Sequence, residues 1–219
     1  MYDHKRTNPP SHFASEMLAT LSHALTHYDG TDRYAHPYRQ GKAEVQITAS
    51  VLVLITNETT PRLLLTKRSQ RLTAHAGEVS FVGGKRDETD TDTAHTALRE
   101  ACEEVGLDGA DAHIIGYLPC QTAKSGSLVR PVVAVVAPDV AQALVGSADE
   151  IERVFWGELS YFIHTPPSEI VLTYDNQPPF ATPAWTVADE TVWGLTGRII
   201  ANLVEIGFGV RYAWYYRLS

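Results

Sequence analysis

One stretch, residues 83–107 (GGKRDETDTDTAHTALREACEEVGL), constrains the folding of this chain more than any other. Its apolar residues recur at intervals of three and four, the spacing that brings side chains onto one face of an α-helix. These residues are Ala94, Ala97, Leu98, Ala101, Cys102 and Val105. The pattern predicts a helix over about residues 92–105 with this face buried, Thr91 or Asp92 as its N-cap, and Gly106 at its end.

Three glutamates of this predicted helix are unfavourable for its folding. Glu103 and Glu104 lie in the last turn, where the negative end of the helix dipole disfavours each anion by about 0.3–1 kcal/mol. Glu100 also repels Glu104, four residues further on. On a helical wheel all three fall nearly opposite the apolar stripe, so we expect one outward-facing carboxylate surface. This surface is either a solvated acidic patch screened by salt or a site for a hard cation such as Mg²⁺, whose charge would offset the repulsion.

Composition excludes several other classes of protein. The net charge of −8 and the pI near 5.5 argue against a general nucleic-acid surface, although a local basic patch for an anionic ligand is still allowed. Histidines without HxH or HExxH spacing argue against a zinc site. Cys102 and Cys120 are too few for a disulfide framework, and no apolar run approaches the roughly 18 residues of a membrane span. We expect a cytoplasmic protein that binds neither nucleic acid nor membranes.

Strand and helix patterns mix along the chain without a regular βαβ repeat, which predicts an α+β fold with layers of the α/β/α kind. Residues 1–43 contain a weak helical segment and a turn-rich link, and we interpret them as an N-terminal helical arm before a single domain at 44–219. Near the C-terminus, a closing helix is predicted to end at Gly207, and an aromatic run, YAWYYRL, is interpreted as core or as a homodimer contact. Strands are predicted within residues 45–56, 62–66, 113–120, 128–137 and 168–174, and residues 149–163 are predicted to form a short strand that leads into a helix.

The segment from Arg99 to Leu107 (REACEEVGL) resembles the REUxEExGU end of the Nudix box, where U is a bulky apolar residue. Gly83 and Gly84 stand upstream where that box begins. Asp90 occupies the first acidic position, and eight residues rather than the usual seven separate it from Arg99. This longer spacing and the GGKRD opening resemble one branch of the Nudix hydrolases, the coenzyme A pyrophosphatases.

A second motif lies immediately before the box. Residues 64–84 (LLTKRSQRLTAHAGEVSFVGG) resemble the LLTxRS(x)nGxxxFPGG signature of the same branch, with Val82 in place of proline. Later segments resemble SGFxVTPVV, EVxxVFxVPLxxL and WGLTARI of that branch, and here they read SGSLVRPVV, DEIERVFWGELSYFI and VWGLTGRI. The resemblance extends over about residues 45–206 and implies a Nudix-fold α/β/α sandwich with a mixed sheet.

The resemblance implies a role for each glutamate of the box. Glu100 and Glu104 would be primary ligands of Mg²⁺ or Mn²⁺, and Glu103 would bind the cation directly or through water; Glu103 and Glu104 therefore count as catalytic. Gly83 and Gly84 would lie at the substrate, with the carbonyl group of Gly84 as a further ligand. The family hydrolyses diphosphate linkages. A divalent cation suits this hydrolysis because it neutralises the charge around phosphorus and lowers the pKa of the attacking water.

A general base is expected outside the box. Asp149, Glu150 and Glu152 precede an apolar run in the appropriate region, and Glu150 matches the glutamate that the family places before its valine-rich strand. Acids on loops are common without such a role, so a surface position is the alternative for each of the three.

Basic residues next to the box suit the phosphate groups of a substrate. Arg68 and Arg71 are the predicted substrate-binding residues, whereas Lys67 and His75 are interpreted as surface residues. Arg99 is expected to pair with a carboxylate and hold the box.

The resemblance implies hydrolysis of coenzyme A or an acyl-coenzyme A to 3′,5′-ADP and (acyl-)4′-phosphopantetheine. One alternative is another nucleotide-type substrate, such as ADP-ribose or a dinucleotide. The other is a catalytically silent Nudix domain that binds a ligand.

Overall fold

The structure, a computed structural model, describes residues 12–28, 46–72, 75–123, 125–173 and 179–212 of the chain. In these ranges the strands are β1 (Ile47–Thr56), β2 (Arg62–Arg68), β3 (Val79–Ser80), β4 (Val82–Lys85), β5 (His113–Tyr117), β6 (Gln121–Thr122), β7 (Leu128–Val136), β8 (Ile151–Glu158), β9 (Ser168–Leu172), β10 (Phe180–Val187) and β11 (Glu190–Val192). The helices are α1 (Glu16–His27), α2 (Thr93–Val105), α3 (Pro138–Ala143), α4 (Leu159–His164) and α5 (Gly194–Phe208). A 3₁₀ turn spans Gly109–Asp111.

A parallel pair of strands, β1 and β7, forms the centre of the main sheet. Antiparallel strands extend it on both sides: β2 and β4 pair with β1, β3 and β8 pair with β2, and β5 and β6 pair with β7. Both central strands are apolar on both faces, as expected for strands that helices cover on each side. The predicted α+β fold with a mixed sheet is therefore confirmed.

Helices cover the two faces of this sheet and create two separate cores. Because side chains alternate along a strand, neighbouring residues of β1, β2 and β7 belong to opposite cores. The core under α2 contains Leu52, Leu54, Leu64, Val82, Val132 and Ala134. The core under α1 and α5 contains Val53, Ile55, Leu63, Leu65, Val133 and Val135. None of the described helices is long and apolar enough to cross a membrane.

A smaller sheet, in the order β11-β10-β9, packs beside α5. Trp185 on β10 donates from its indole Nε1 to the carbonyl group of Thr165 (2.8 Å) and contacts the rings of Phe162 and Tyr212 edge-on. This aromatic group stabilises the small sheet against α4. Tyr212 is the only residue of the YAWYYRL run within the described ranges, and it belongs to the core, as one of the two interpretations expected.

The N-terminal helix shares the core of the domain. Leu18, Leu21 and Leu25 of α1 are buried against α5 and β5, with the side chain of Leu25 directly over Gly116. The linker after this helix lies outside the described residues. The division of the chain at residue 43 stays a prediction, but the α1 part of the predicted arm is packed as a core element.

Two glycines show how closely the closing helix approaches its neighbours. The predicted end at Gly207 is wrong: α5 continues to Phe208, and Gly209, with φ of 69°, is the left-handed cap. Gly207 is instead a buried position within the helix. A Cβ there would lie 2.6 Å from Cδ1 of Leu21, so glycine allows α1 to pack closely on α5. A Cβ on Gly197, which stands where the related WGLTARI segment has alanine, would lie 2.4 Å from the carbonyl oxygen of Pro183.

We expect Gly197→Ala to destabilise the fold. Alanine is favoured over glycine in a helix by about 1 kcal/mol, but overpacking against the β10 backbone outweighs this gain, so the free energy of unfolding falls by about 1–3 kcal/mol. Urea unfolding measures the change. Gly109→Ala is the control, because its Cβ would meet Leu98 at an ordinary 3.7 Å. Equal stabilities of the two variants would contradict the close approach of α5 to β10.

Candidate active site

Helix α2 begins and ends where its sequence predicts. The Asp92 carboxylate accepts a hydrogen bond from the backbone N–H of His95 (2.9 Å), and Gly106 ends the helix with φ of 73°. The N–H groups of Val145 and Ser147, in the segment before β8, donate to the carbonyl groups of Val105 and Glu104. The segment 145–150 is thereby attached to the C-terminal turn of α2.

The predicted outward surface of three carboxylates is wrong for two of them. Glu103 is exposed, at 58% of its side-chain area, but Glu100 is only 17% exposed and Glu104 only 4%. With Ala101 as the centre of the buried stripe, Leu98 and Glu104 lie about 60° to either side, at 100° per residue. Centring the wheel on Leu98 misplaced the stripe, and Cys102, predicted to be buried, is exposed.

A pair of glycines on β4 accommodates the carboxylates of Glu104, which is buried, and of Glu100, which is partly buried. The N–H of Gly83 donates to Oε2 of Glu104 (3.1 Å), and a Cβ on Gly84 would lie 2.5 Å from the Glu100 carboxylate. Gly83 also has φ of 149°, and a Cβ there would lie 2.3 Å from the carbonyl oxygen of Ser50 on the neighbouring strand. A side chain at either position would clash, with Ser50 at Gly83 or with Glu100 at Gly84. Glycine at both positions therefore lets β4 contact the two glutamates.

Arg99 is held by a buried aspartate. The carboxylate of Asp90 accepts hydrogen bonds from Nε and Nη2 of Arg99, each at 3.1 Å, and from the backbone N–H of Asp87 (2.8 Å). Arg99 also contacts Glu100 (2.9 Å) and Glu103 (3.1 Å). The expected pairing of Arg99 with a carboxylate is confirmed, and a turn at residues 87–90 lets Asp90 reach it despite the longer spacing.

The ionisation of Asp90 reflects this pairing. Burial by itself would raise the pKa of Asp90, but the hydrogen bonds from Arg99, Asp87 and Thr96 outweigh it and hold that pKa well below its ordinary value of 3.8. Asp90 is therefore charged at neutral pH and fixes the guanidinium beside Glu100.

The end of β2 brings a second arginine to the site. Nη1 of Arg68 lies 3.3 Å from Oε1 of Glu104. The next residue, Ser69, donates its backbone N–H to the carbonyl group of Glu150 (2.8 Å). The segment 145–150 is therefore bonded both to the end of α2, through Ser147, and to the end of β2, through Ser69.

Glu150 lies close enough to the buried glutamates to affect their charge. Burial raises the pKa of Glu104 to about 7; the charges of Glu100 and Glu150 act in the same direction, and Gly83 and Arg68 oppose them. Burial also raises the pKa of Glu100, with Glu103 and Glu150 adding to it and Arg99 opposing. Two arginines do not fully compensate these carboxylates, so the site favours a further positive charge.

The donor set fits a hard divalent cation. Carboxylate oxygens are the ligands that Mg²⁺ and Mn²⁺ take, and the missing side chain at Gly84 lets the Glu100 carboxylate lie directly against β4. Among the described residues, no three histidine, cysteine, aspartate or glutamate side chains already converge as a ligand group. Instead, Arg68 contacts Glu104 and Arg99 contacts Glu100 and Glu103.

Other candidates lie further from the glutamates. Arg71 is exposed, and its backbone N–H donates to Oγ of Ser69. Lys67 pairs with Glu190 (3.0 Å) and Glu152 (3.3 Å), and His75 pairs with Glu78 (2.7 Å). The exposed position of His75 agrees with its interpretation as a surface residue, whereas Lys67 is only 20% exposed and is not the solvated residue that was expected.

Sequence reasoning missed the segment around Ser147. Its role depends on backbone hydrogen bonds to α2, and these leave no signal in the side-chain pattern.

Comparisons with known proteins identify the family of this chain. The NUDIX domain family model matches residues 46–171. A protein described as uncharacterized Nudix hydrolase NudL, from Escherichia coli O7:K1, is 38% identical over 163 residues, which are 73% of this chain and 82% of that protein. The protein of the same description from Escherichia fergusonii has the same identity and coverage. A solved structure of an Ap4A hydrolase binary complex from C. elegans aligns with a TM-score of 0.43 and 22% identity, over 51% of this chain and 80% of that one.

We expect Asp90→Asn to weaken the fold by about 2–3 kcal/mol at pH 7, because the Arg99 guanidinium loses a charged hydrogen-bond partner. The folded-state pKa of Asp90 lies below its ordinary 3.8, so its stabilisation is complete above about pH 5 and disappears as the pH falls. Urea unfolding between pH 3 and 7 should show a smaller loss toward acid for the variant than for the wild type.

Asp92→Asn is the matched control for this change. Asparagine caps a helix as well as aspartate does, so the stability should change by less than about 0.5 kcal/mol. Parallel pH profiles of Asp90→Asn and the wild type would show that Asp90 does not carry the acid dependence.

Proposed function

This chain belongs to the Nudix hydrolase family, and we propose that it hydrolyses the diphosphate linkage of coenzyme A or an acyl-coenzyme A, with Mg²⁺ or Mn²⁺ as cofactor. The products are 3′,5′-ADP and (acyl-)4′-phosphopantetheine, with one water consumed. The observation that carries this proposal is the buried Glu104 carboxylate, held by Gly83 beside Glu100 and short of compensating positive charge.

The three box glutamates hold the cation in this proposal. Glu100 and Glu104 bind it directly, since both carboxylates lie against the backbone of Gly83 and Gly84, and the exposed Glu103 completes the set directly or through water. A bound divalent cation neutralises the diphosphate oxygens and lowers the pKa of the attacking water. Asp90 and Arg99 contribute by fixing the orientation of Glu100 and Glu103.

Proton transfer is assigned to Glu150. This residue is exposed, and its charge acts on both Glu100 and Glu104, which supports its choice among the three candidate acids. A carboxylate within hydrogen-bond reach of the attacking water is a suitable general base. Its position is set by the backbone hydrogen bonds of Ser147 and Ser69.

Substrate choice rests on the motif that precedes the box. Residues 64–84 include most of β2, the segment that follows it, β3 and most of β4. Arg68, at the end of β2, contacts Glu104. Coenzyme A carries a diphosphate and a 3′-phosphate, and Arg68 with the exposed Arg71 supplies two guanidinium groups for these anions. The rival substrates, ADP-ribose and dinucleotides, lack the 3′-phosphate.

A panel of substrates tests this choice. We expect the full-length protein with Mg²⁺ or Mn²⁺ to hydrolyse coenzyme A and acyl-coenzyme A with a higher kcat/KM than ADP-ribose or diadenosine polyphosphates, as measured by chromatography of the products. Dephospho-coenzyme A, which lacks only the 3′-phosphate, is the matched control and should show a raised KM. Fast turnover of ADP-ribose without turnover of coenzyme A would reject coenzyme A as the substrate.

A silent ligand-binding domain is the second candidate, and the departures from the family pattern are its support. Their positions favour the enzyme. Asp90 still binds Arg99, and Val82 is fully buried in the core under α2. Gly157 pairs with Leu63, at the opposite end of β2 from Arg68, and its missing Cβ makes room for the ring of Phe162.

We expect Glu104→Gln to lower metal-dependent hydrolysis by at least roughly 100-fold while the fold is retained. In the metal-free protein the variant should be more stable, because the glutamate has a folded-state pKa near 7 against an ordinary 4.5 and its ionisation opposes folding. The stability gain should therefore grow from pH 5 to pH 8 and reach roughly 1–3 kcal/mol. Urea unfolding and product formation are the two measurements.

Glu88→Gln serves as the control, because Glu88 is an exposed acid outside the glutamate cluster. It should leave both hydrolysis and the pH profile of stability unchanged. Unchanged turnover in Glu104→Gln would reject the metal role and favour the silent domain.

A further inference from the structure

We infer that Arg68 is an exchangeable counter-ion: it neutralises Glu104 before the cation binds, and it passes to the phosphate groups of the substrate once the cation takes its place. This inference rests on the proposed function of the same site. It assigns to Arg68 a step that precedes substrate binding, in addition to contact with the substrate.

The contact between Arg68 and Glu104 is the first argument. Nη1 lies 3.3 Å from Oε1 of a carboxylate that is only 4% exposed. An ionised carboxylate in such a place is costly unless it is paired. Within the described residues, the Glu104 carboxylate has two stabilising partners, the N–H of Gly83 and the guanidinium of Arg68.

The contrast with Arg99 is the second argument. Arg99 donates to Asp90, Glu103 and the carbonyl group of Lys85, and so cannot move without breaking several hydrogen bonds. The guanidinium of Arg68 contacts a single side chain among the described residues, at the long end of hydrogen-bond distance. Arg68 is also 22% exposed, so its remaining N–H groups are open to an anion.

Charge competition connects these two observations. A divalent cation bound to Glu104 and the guanidinium of Arg68 would share the same carboxylate, and two positive groups at that distance repel each other. The cation therefore weakens the hold of Glu104 on Arg68. A diphosphate next to the site offers the released arginine a bidentate anionic partner.

The exchange has a signature that a purely structural arginine would lack. Removing the charge of Arg68 should strengthen cation binding, because a competitor is lost, and weaken substrate binding, because an anion partner is lost. Loss of a structural support would weaken both.

The test measures Mn²⁺ binding to the full-length protein without substrate, by the electron paramagnetic resonance signal of free Mn²⁺. For Arg68→Gln we expect the Kd for Mn²⁺ to fall by roughly tenfold, which corresponds to about 1.4 kcal/mol, and the KM for coenzyme A to rise. Arg68→Lys keeps the charge and should bind Mn²⁺ nearly as the wild type does. Arg71→Gln is the matched control: this neighbouring arginine is exposed, makes no ion pair with Glu104 within the described residues, and should leave the Kd for Mn²⁺ unchanged.

An unchanged or higher Kd for Mn²⁺ in Arg68→Gln overturns the exchange while leaving the proposed function intact. Failure of the wild type to bind Mn²⁺ overturns the metal role in the proposed function, and the exchange with it. If Arg68→Gln does not fold in the absence of metal, Mn²⁺ should restore its folded circular dichroism spectrum, since either cation compensates Glu104. Absence of that rescue also overturns the inference.

Discussion

Burial of the Glu104 carboxylate between α2 and β4 is the interaction on which the rest of the site depends. A charged group in this position needs a donor close at hand, and the N–H of Gly83 provides it because no side chain keeps β4 away from the helix. The same close approach places Glu100 over Gly84. The cost of this burial appears as a pKa for Glu104 of about 7.

The fold contributes fixed and exchangeable charge in different places. Asp90 is buried and paired with Arg99, which makes the front of the box rigid. At the opposite side, Arg68 reaches Glu104 from the end of β2 with a single contact. Arg99 lies beside the glutamates because it is on the same helix, whereas Arg68 reaches them because β2 and β4, the strand packed against α2, pair with the same central strand, β1. A rigid support and an exchangeable counter-ion therefore act on neighbouring carboxylates.

Much of the fold could be predicted from local patterns, and the errors have physical causes. The limits of α2 agree with prediction because its caps, Asp92 and Gly106, are local features. The end of α5 was misplaced at Gly207 because a glycine in sequence does not distinguish a cap from a close contact, here with Leu21. The role of Ser147 depends on a backbone hydrogen bond to Glu104, a residue distant in the chain, which periodicity does not encode.

By itself, the sequence determined the family, the limits of α2 and the spacing of its three glutamates, because these depend on the order of residues along the chain. Only the tertiary structure decided which glutamates are buried. A helical wheel shows the direction of each side chain but does not include the backbone donor that Gly83 on β4 offers to Glu104. The tertiary structure also decided that Arg68 meets Glu104, 36 residues away in the chain. Burial and pairing of charge depend on three-dimensional neighbours, and those neighbours follow from the pairing of β4 and β2 with β1.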